Sequence, residues 1–335
     1  MLKKFHLNYY QLNKLTSMSL SPENLRKHCQ NILQSSRIRN RVVVLCEGDL
    51  QTLQGRPSPQ TYARMESLPD SNFYKACTPK FWRERIPQFF NCGDRKDVID
   101  TYFGLLDLHS SDPENSYLNP DKLFAIVDLD LHTQNINSSF NYGFAETEEI
   151  YHDLYQKYRL TSDRLVNHKI WVTGLIHKEA YFIIPDLQDT FNELPIRPTY
   201  NGSDLNLDYL YLNMSQSISS DPDLAINFDR ACRRICHCSS IDTTAIDTLE
   251  QSWITEFTST PAPAIKTELV YTLLTIKKAK SYWNNISPSP EWTRPVSAYL
   301  DQAMLKVADF YSEQSDGEKY HLPSFFQTLY ECSVT

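Results

Sequence analysis

Apolar and polar positions along this chain fall into two rhythms. Short apolar runs occupy residues 42–46 and 123–127, each too short for a helix and too continuously apolar for a half-exposed strand, so each reads as a buried strand of a parallel sheet; residues 88–91 and 169–173 read as two further short strands. The intervening stretches carry helical spacing. Ser21-Pro22-Glu23 places an N-cap, a proline at the first helical position and an acid in the first turn, which predicts a helix to about Gln34. Cys92-Gly93-Asp94 is a turn that caps a second helix, with Val98, Ile99, Tyr102, Phe103 and Leu106 on its apolar side. Residues 62–68 and 73–86 read as broken helical pieces punctuated by Pro69 and Pro79. A long polar loop, residues 132–142, precedes a helix predicted over about 145–159. The order is β-α-β-α-β-α-β, the alternation of a parallel sheet.

Past Pro185 the pattern changes. Residues 195–208 read as loop, and from about Asp221 onward the spacing is mostly helical, with breaks at residues 260–263, 287–290 and Pro295. The expected organisation is an N-terminal helical segment (1–40), an α/β domain (41–195) and a mainly helical C-terminal region (196–335), with no internal repeat.

Composition narrows the function classes. With 335 residues, 41% hydrophobic content, 20 Tyr and 16 Phe, the chain can build a real core. The net charge of −8 argues against a protein that coats nucleic acid, but not against a local basic groove. The basic groups at Arg37/Arg39/Arg41, Arg83/Arg85, Arg233/Arg234 and Lys277/Lys278/Lys280 each read first as solvated surface. Eight scattered cysteines, no secretory leader and no apolar span of transmembrane length predict a reduced, cytoplasmic protein without a membrane partner. Cys232, Cys236, His237 and Cys238 lack the second ligand pair of a zinc knuckle and read as thiols on a helix.

The chemistry concentrates at strand ends. The first strand runs into Glu47-Gly48-Asp49 and the third into Asp128-Leu129-Asp130. Open α/β sheets bind ligands just beyond the carboxyl ends of their strands. Carboxylates converging there repel one another unless a divalent cation neutralises them, which points to Mg²⁺ or Mn²⁺ and to phosphate chemistry.

Glu-Gly after the first strand, Asp-x-Asp after the third and the alternating frame resemble the Toprim domain of topoisomerases, bacterial primases and overcoming-lysogenisation-defect nucleases. The resemblance covers about residues 41–185. It implies a Toprim-like Rossmann-type domain with a central four-stranded parallel sheet. It makes Glu47 a catalytic or metal-binding acid and Asp128 and Asp130 the metal-holding pair, with Gly48 allowing a sharp turn beside the metal. The segment from Trp171 to Pro185, with His177-Lys178-Glu179-Ala180-Tyr181, looks like the Glu-x-Tyr element of a bacterial Toprim-like branch. Some of that branch act in anti-phage defence beside an ATPase. Glu179 then becomes a fourth metal acid, His177 a group orienting water or phosphate, and Lys178 a contact to a non-bridging oxygen. His132 is a weaker candidate. That branch has a further Asp soon after Glu-Gly, then an aromatic pair opening a helix; here Asp49 follows Gly48 directly, and Asp70-Ser71-Asn72-Phe73-Tyr74 comes later.

The expectation is a metal-dependent nuclease acting on DNA or RNA. No Gly-x-x-x-x-Gly-Lys-Ser/Thr motif occurs, so an ATPase partner would act in trans, and the C-terminal region is the expected docking or homodimer surface. Two alternatives stand beside it. Asp128-x-Asp130 with residues 170–174 also resembles haloacid-dehalogenase-type phosphatases, in which Asp128 would be the nucleophile and Thr173 a phosphoryl-binding hydroxyl. The other is a non-catalytic Toprim-like sensor or scaffold.

Overall fold

The structure is a computed structural model that describes residues 20–50, 69–136, 140, 142–161, 165, 167–315 and 317–334. The piece expected at residues 62–68 and part of the 132–142 loop lie outside these. Helix α1 (Pro22–Leu33) starts where Ser21 accepts the Asn24 N–H. Strand β1 (Val43–Cys46) follows, then α2 (Pro69–Ala76), β2 (Gln88–Asn91), α3 (Arg95–Ser111) and β3 (Leu123–Val127). Asp94 caps α3 through a reciprocal capping box with Asp97. Helix α4 (Thr147–Leu154) is half the expected length. The chain leaves it at Tyr155 to form a hairpin, Tyr155–Gln156 against Arg159–Leu160, around Lys157 at φ 61°. Strand β4 (Ile170–Val172) completes the sheet.

All four strands are parallel, in the order β2-β1-β3-β4. Register aligns Phe89 with Val44 and Ile126 with Trp171, and these fully buried side chains share one face. What covers that face comes from far along the chain.

The helical C-terminal part contains α5 (Leu187–Asn192), α6 (Leu207–Ser215), α7 (Pro222–Ile226), α8 (Phe228–Ile235), α9 (Ile246–Ser259), α10 (Pro263–Ile276), α11 (Lys280–Asn284), α12 (Val296–Glu313) and α13 (His321–Val334). In α13, the Phe325 ring meets Trp171 at 4.7 Å and the Phe326 ring meets Phe89 at 6.3 Å. Phe73 of α2 meets Tyr311 of α12 at 6.4 Å. A three-stranded antiparallel sheet, which the expected 195–208 loop did not anticipate, joins β5 (Pro198–Tyr200) to β6 (Ser203–Asp204) and to β7 (Ile286–Pro288).

No disulfide joins any of the eight cysteines; Cys236 is exposed and Cys238 buried. Arg234 is not the solvated charge its sequence suggests. It is buried, and its guanidinium grips Glu148 of α4 with two bonds, Nε to Oε1 at 3.0 Å and Nη2 to Oε2 at 2.6 Å. Lys277 is likewise buried, on Asp221 and the Ser217 carbonyl. Among the described residues no helix is long and apolar enough to cross a membrane.

Candidate functional site

Parallel strands put all their carboxyl ends at one edge of the sheet. Glu47 leaves β1, Asp128 leaves β3, Thr173 leaves β4, and Gly93-Asp94 follow β2 at the start of α3. Gly48 and Gly93 exchange backbone hydrogen bonds, each 2.9 Å, and both have positive φ (150° and 90°). A side chain at Gly93 would place its Cβ 2.4 Å from the Asp97 carboxylate, so the capping box and the approach of the β1 loop both require glycine there.

The loops after β3 and β4 are stitched together. Leu129 N–H donates to the Thr173 hydroxyl (2.9 Å), which donates to the Leu175 carbonyl (2.7 Å). Asp130 N–H donates to the Ile176 carbonyl (3.0 Å), holding Asp130 in left-handed backbone at φ 43°. Asn and Asp tolerate that region better than other side chains, but it is still costly and typical of sites that need a fixed side-chain direction. Ile176 N–H in turn donates to the Leu274 carbonyl of α10 (3.0 Å), which anchors the 173–177 turn to the C-terminal part. The following short 3₁₀ turn, Lys178–Ile183, carries Glu179, which is buried.

The carboxylates act on one another. Glu47 accepts the Asp128 N–H at 2.8 Å. Burial raises Glu47 to about 7, opposed by that hydrogen bond and by Arg95 and Lys178, and reinforced by Asp130. Burial also pushes Asp128 well above the usual carboxylate range, and the charges of Glu47, Glu179 and Asp130 push it further. Asp130 goes the other way: burial works to raise it, but His177, Arg95, the Leu131 N–H and Lys278 outweigh this and hold it low. Burial lowers both His177 and Lys178; Glu179 opposes that in each case. Neighbouring acids driven to opposite protonation preferences are a mark of sites that move protons.

The sheet edge thus brings together Glu47, Asp128, Asp130, His177, Lys178 and Glu179. His132 and Asp49 are exposed instead. Three basic residues complete the surroundings: Arg95 and Arg230, which the sequence did not single out, and Lys278, which it read as solvated surface. Arg95 Nη1 donates to the Leu129 carbonyl (2.9 Å) and the Asp128 carbonyl (3.4 Å), and Arg230 of α8 donates to the Leu131 carbonyl (2.6 Å). Lys278, placed by its bond to Asp223, acts on Asp130 and His177. Arg95 had one readable signal. A cation in the first turn of a helix opposes the macrodipole, by about 0.3–1 kcal/mol, so a partner elsewhere was to be sought.

Oxygen donors of this kind suit a hard divalent cation. Among the described residues, however, no three His, Cys, Asp or Glu side chains are gathered closely enough to share an ion. Glu47 Oε1 is turned onto the Asp128 N–H and Asp130 Oδ1 onto the Leu131 N–H. The set fits such a cation in chemistry and charge, with side-chain rotations needed to gather it. No protein-family model, curated protein or solved structure matches the chain.

Proposed function

We propose that this protein is a metal-dependent phosphodiesterase acting on DNA or RNA, with a Toprim-like site at the sheet edge. One observation carries the reading: four carboxylates from three separate segments lie close enough at the sheet edge to act on one another, and burial, reinforced by neighbouring acids, drives Glu47 and Asp128 above their ordinary range. Such crowding is costly unless a cation or a proton relieves it. Glu47, Asp128, Asp130 and Glu179 are the residues that would hold Mg²⁺ or Mn²⁺. Bound there, the ion would supply Lewis-acid polarisation of a phosphoryl oxygen and a more acidic water.

The chain's own groups have separate tasks. Glu47, held near neutrality, is suited to take or give a proton at Oε2, because Oε1 is occupied by the Asp128 N–H. Lys178 and Lys278 offer positive charge to a phosphate that approaches an otherwise acidic cleft. Arg95 and Arg230 act as positioning residues by fixing the carbonyls of the Asp128–Leu131 loop. Thr173 weighs against the phosphatase reading, since its hydroxyl is already shared between Leu129 and Leu175. The ungathered donors are what favours a non-catalytic scaffold as the second reading.

Cleavage of supercoiled plasmid and of total tRNA with Mg²⁺ or Mn²⁺, wild type beside Glu47→Gln and Asp128→Asn, tests this, together with Mn²⁺ calorimetry. Cutting by wild type alone is expected. Neither cutting nor Mn²⁺ binding by a folded wild type would replace the nuclease reading with the scaffold. Binding without cutting would direct the search to a partner in trans.

A further inference from the structure

Much of the acidic edge hangs on one short turn, residues 173–177. Its Thr173 hydroxyl takes the Leu129 N–H and its Ile176 carbonyl takes the Asp130 N–H. It ends in His177 and leads straight into Lys178 and Glu179. Asp130, His177, Lys178 and Glu179 therefore take their positions from this turn. Part of what holds the turn comes from the far end of the chain.

Gly174 N–H lies 2.9 Å from the Tyr181 hydroxyl. That hydroxyl lies 3.0 Å from His321 Nδ1, and His321 Nε2 lies 2.7 Å from the Tyr158 carbonyl. The groups themselves set the direction of these bonds. A carbonyl only accepts, so Nε2 carries the proton. Burial lowers the ring to about 4 and keeps it neutral, so Nδ1 is bare and accepts the Tyr181 proton. The phenol has then spent its one proton and receives the Gly174 N–H. Gly174, Tyr181 and His321 are all buried, where a lost partner costs far more than at the surface.

The packing is equally specific. A side chain at Gly174 would run into the His321 and Tyr155 rings, so the turn lies flush against the imidazole. The Tyr181 carbonyl takes the Tyr311 hydroxyl (2.7 Å), which ties the backbone of the phenol to α12.

We infer that His321 and Tyr181 are positioning residues: through one imidazole and one phenol, α13 sets the turn from which Asp130, His177, Lys178 and Glu179 are aimed. The consequence for cleavage rests on the phosphodiesterase reading, whereas the effect on the turn does not.

Two histidine replacements separate this role from plain packing. His321→Asn puts an amide oxygen near the place of Nδ1 and keeps an acceptor for Tyr181. His321→Gln reaches instead toward the Tyr158 carbonyl and leaves the phenol without its acceptor. Hydrogen exchange by mass spectrometry, on peptides spanning residues 128–131 and 173–177, compares both with wild type and Tyr181→Phe. Tyr181→Phe and His321→Gln should exchange roughly ten-fold faster there, and His321→Asn should stay within about three-fold of wild type. If wild type cuts plasmid or tRNA, the first two variants should lose roughly 10–100-fold in kcat with KM little changed, and His321→Asn should retain most of it. If wild type does not cut, exchange alone decides, so the two readings fail separately. Thermal melts establish that each variant is folded; if Tyr181→Phe is not, the histidine pair decides. Unchanged exchange in a folded Tyr181→Phe, or equal effects of the Asn and Gln replacements, would overturn the inference.

Discussion

The grip of Arg234 on Glu148 joins α8 to α4, and its removal gives a sharp test of how this fold is held. Both side chains are nearly solvent-free, at 0% and 8% exposure. Among the described residues, Arg234→Met leaves Glu148 with the His152 ring, at 3.4 Å, as its remaining side-chain partner. A buried charge stripped of its partner costs about 3–5 kcal/mol, a large share of a typical total of about 5–15 kcal/mol. The pair is not itself a large source of stability, since Arg234 Nη1 is buried without a hydrogen-bond partner among the described residues. Leaving such a donor unsatisfied costs about 1–3 kcal/mol. The double variant Arg234→Met/Glu148→Met, which replaces both charges with hydrocarbon of similar length, should therefore recover most of the loss. The expected coupling is at least about 3 kcal/mol. Urea unfolding followed by circular dichroism at pH 7 reads all four proteins. pH gives a second check. Burial works to raise Glu148, but the bonds from His152 and Arg234 prevail and set it at about 2. A lowered carboxylate contributes stability above its unfolded value near 4.5 that is lost as pH falls through about 2, here about 3 kcal/mol. If the double variant is as unstable as the sum of the single ones, within about 0.5 kcal/mol, the account of this pair is wrong.

Three further outcomes follow from the packing. Phe325→Ala, which uncovers Trp171 on the sheet, should lower stability by about 3–5 kcal/mol, read from the urea midpoint. Burial sets His321 at about 4, and its Nε2–H donates to the Tyr158 carbonyl while Nδ1 accepts the Tyr181 hydroxyl. A lowered histidine contributes stability above about 6.5 that is lost as pH falls through about 4, up to about 3 kcal/mol, and His321→Gln should flatten the stability profile in that window. Arg95→Met should loosen the Asp128–Leu131 loop at a cost of about 1.5–3 kcal/mol of charged hydrogen bonding. If the edge cleaves phosphodiesters, kinetics of this variant should show kcat falling more than KM rises.

The four sheet strands were legible because each signal was local: an apolar run bounded by polar turns, with observed ends within a residue of those expected. The acids at the strand ends were legible for the same reason. What escaped had long-range causes. Strand β5 pairs with β7, 88 residues away at Thr199 and Ser287, and both strands contain proline, which argues locally for loop. Helix α4 keeps its helical period past Leu154, but Tyr155 leaves to place its hydroxyl on the Val172 carbonyl (2.9 Å). Arg234 and Lys278 sat in basic clusters that resemble solvated surface, and only tertiary pairing with Glu148 and proximity to Asp130 give them tasks.

The distance in sequence between the sheet and its cover has a consequence for synthesis. Helix α13, whose Phe325 and Phe326 lie over Trp171 and Phe89, leaves the ribosome about 150 residues after β4. At about 5–20 residues per second that is a delay of roughly 10–30 s. During that interval the nascent chain carries four strands with the Trp171 end of one face lacking the helix that covers it, a surface that invites chaperone capture or aggregation. Arg230, Lys278 and the Leu274 carbonyl, which brace the acidic edge, also emerge after the acids themselves. The bracing of that edge is thereby complete only after translation has passed well beyond the acids it holds.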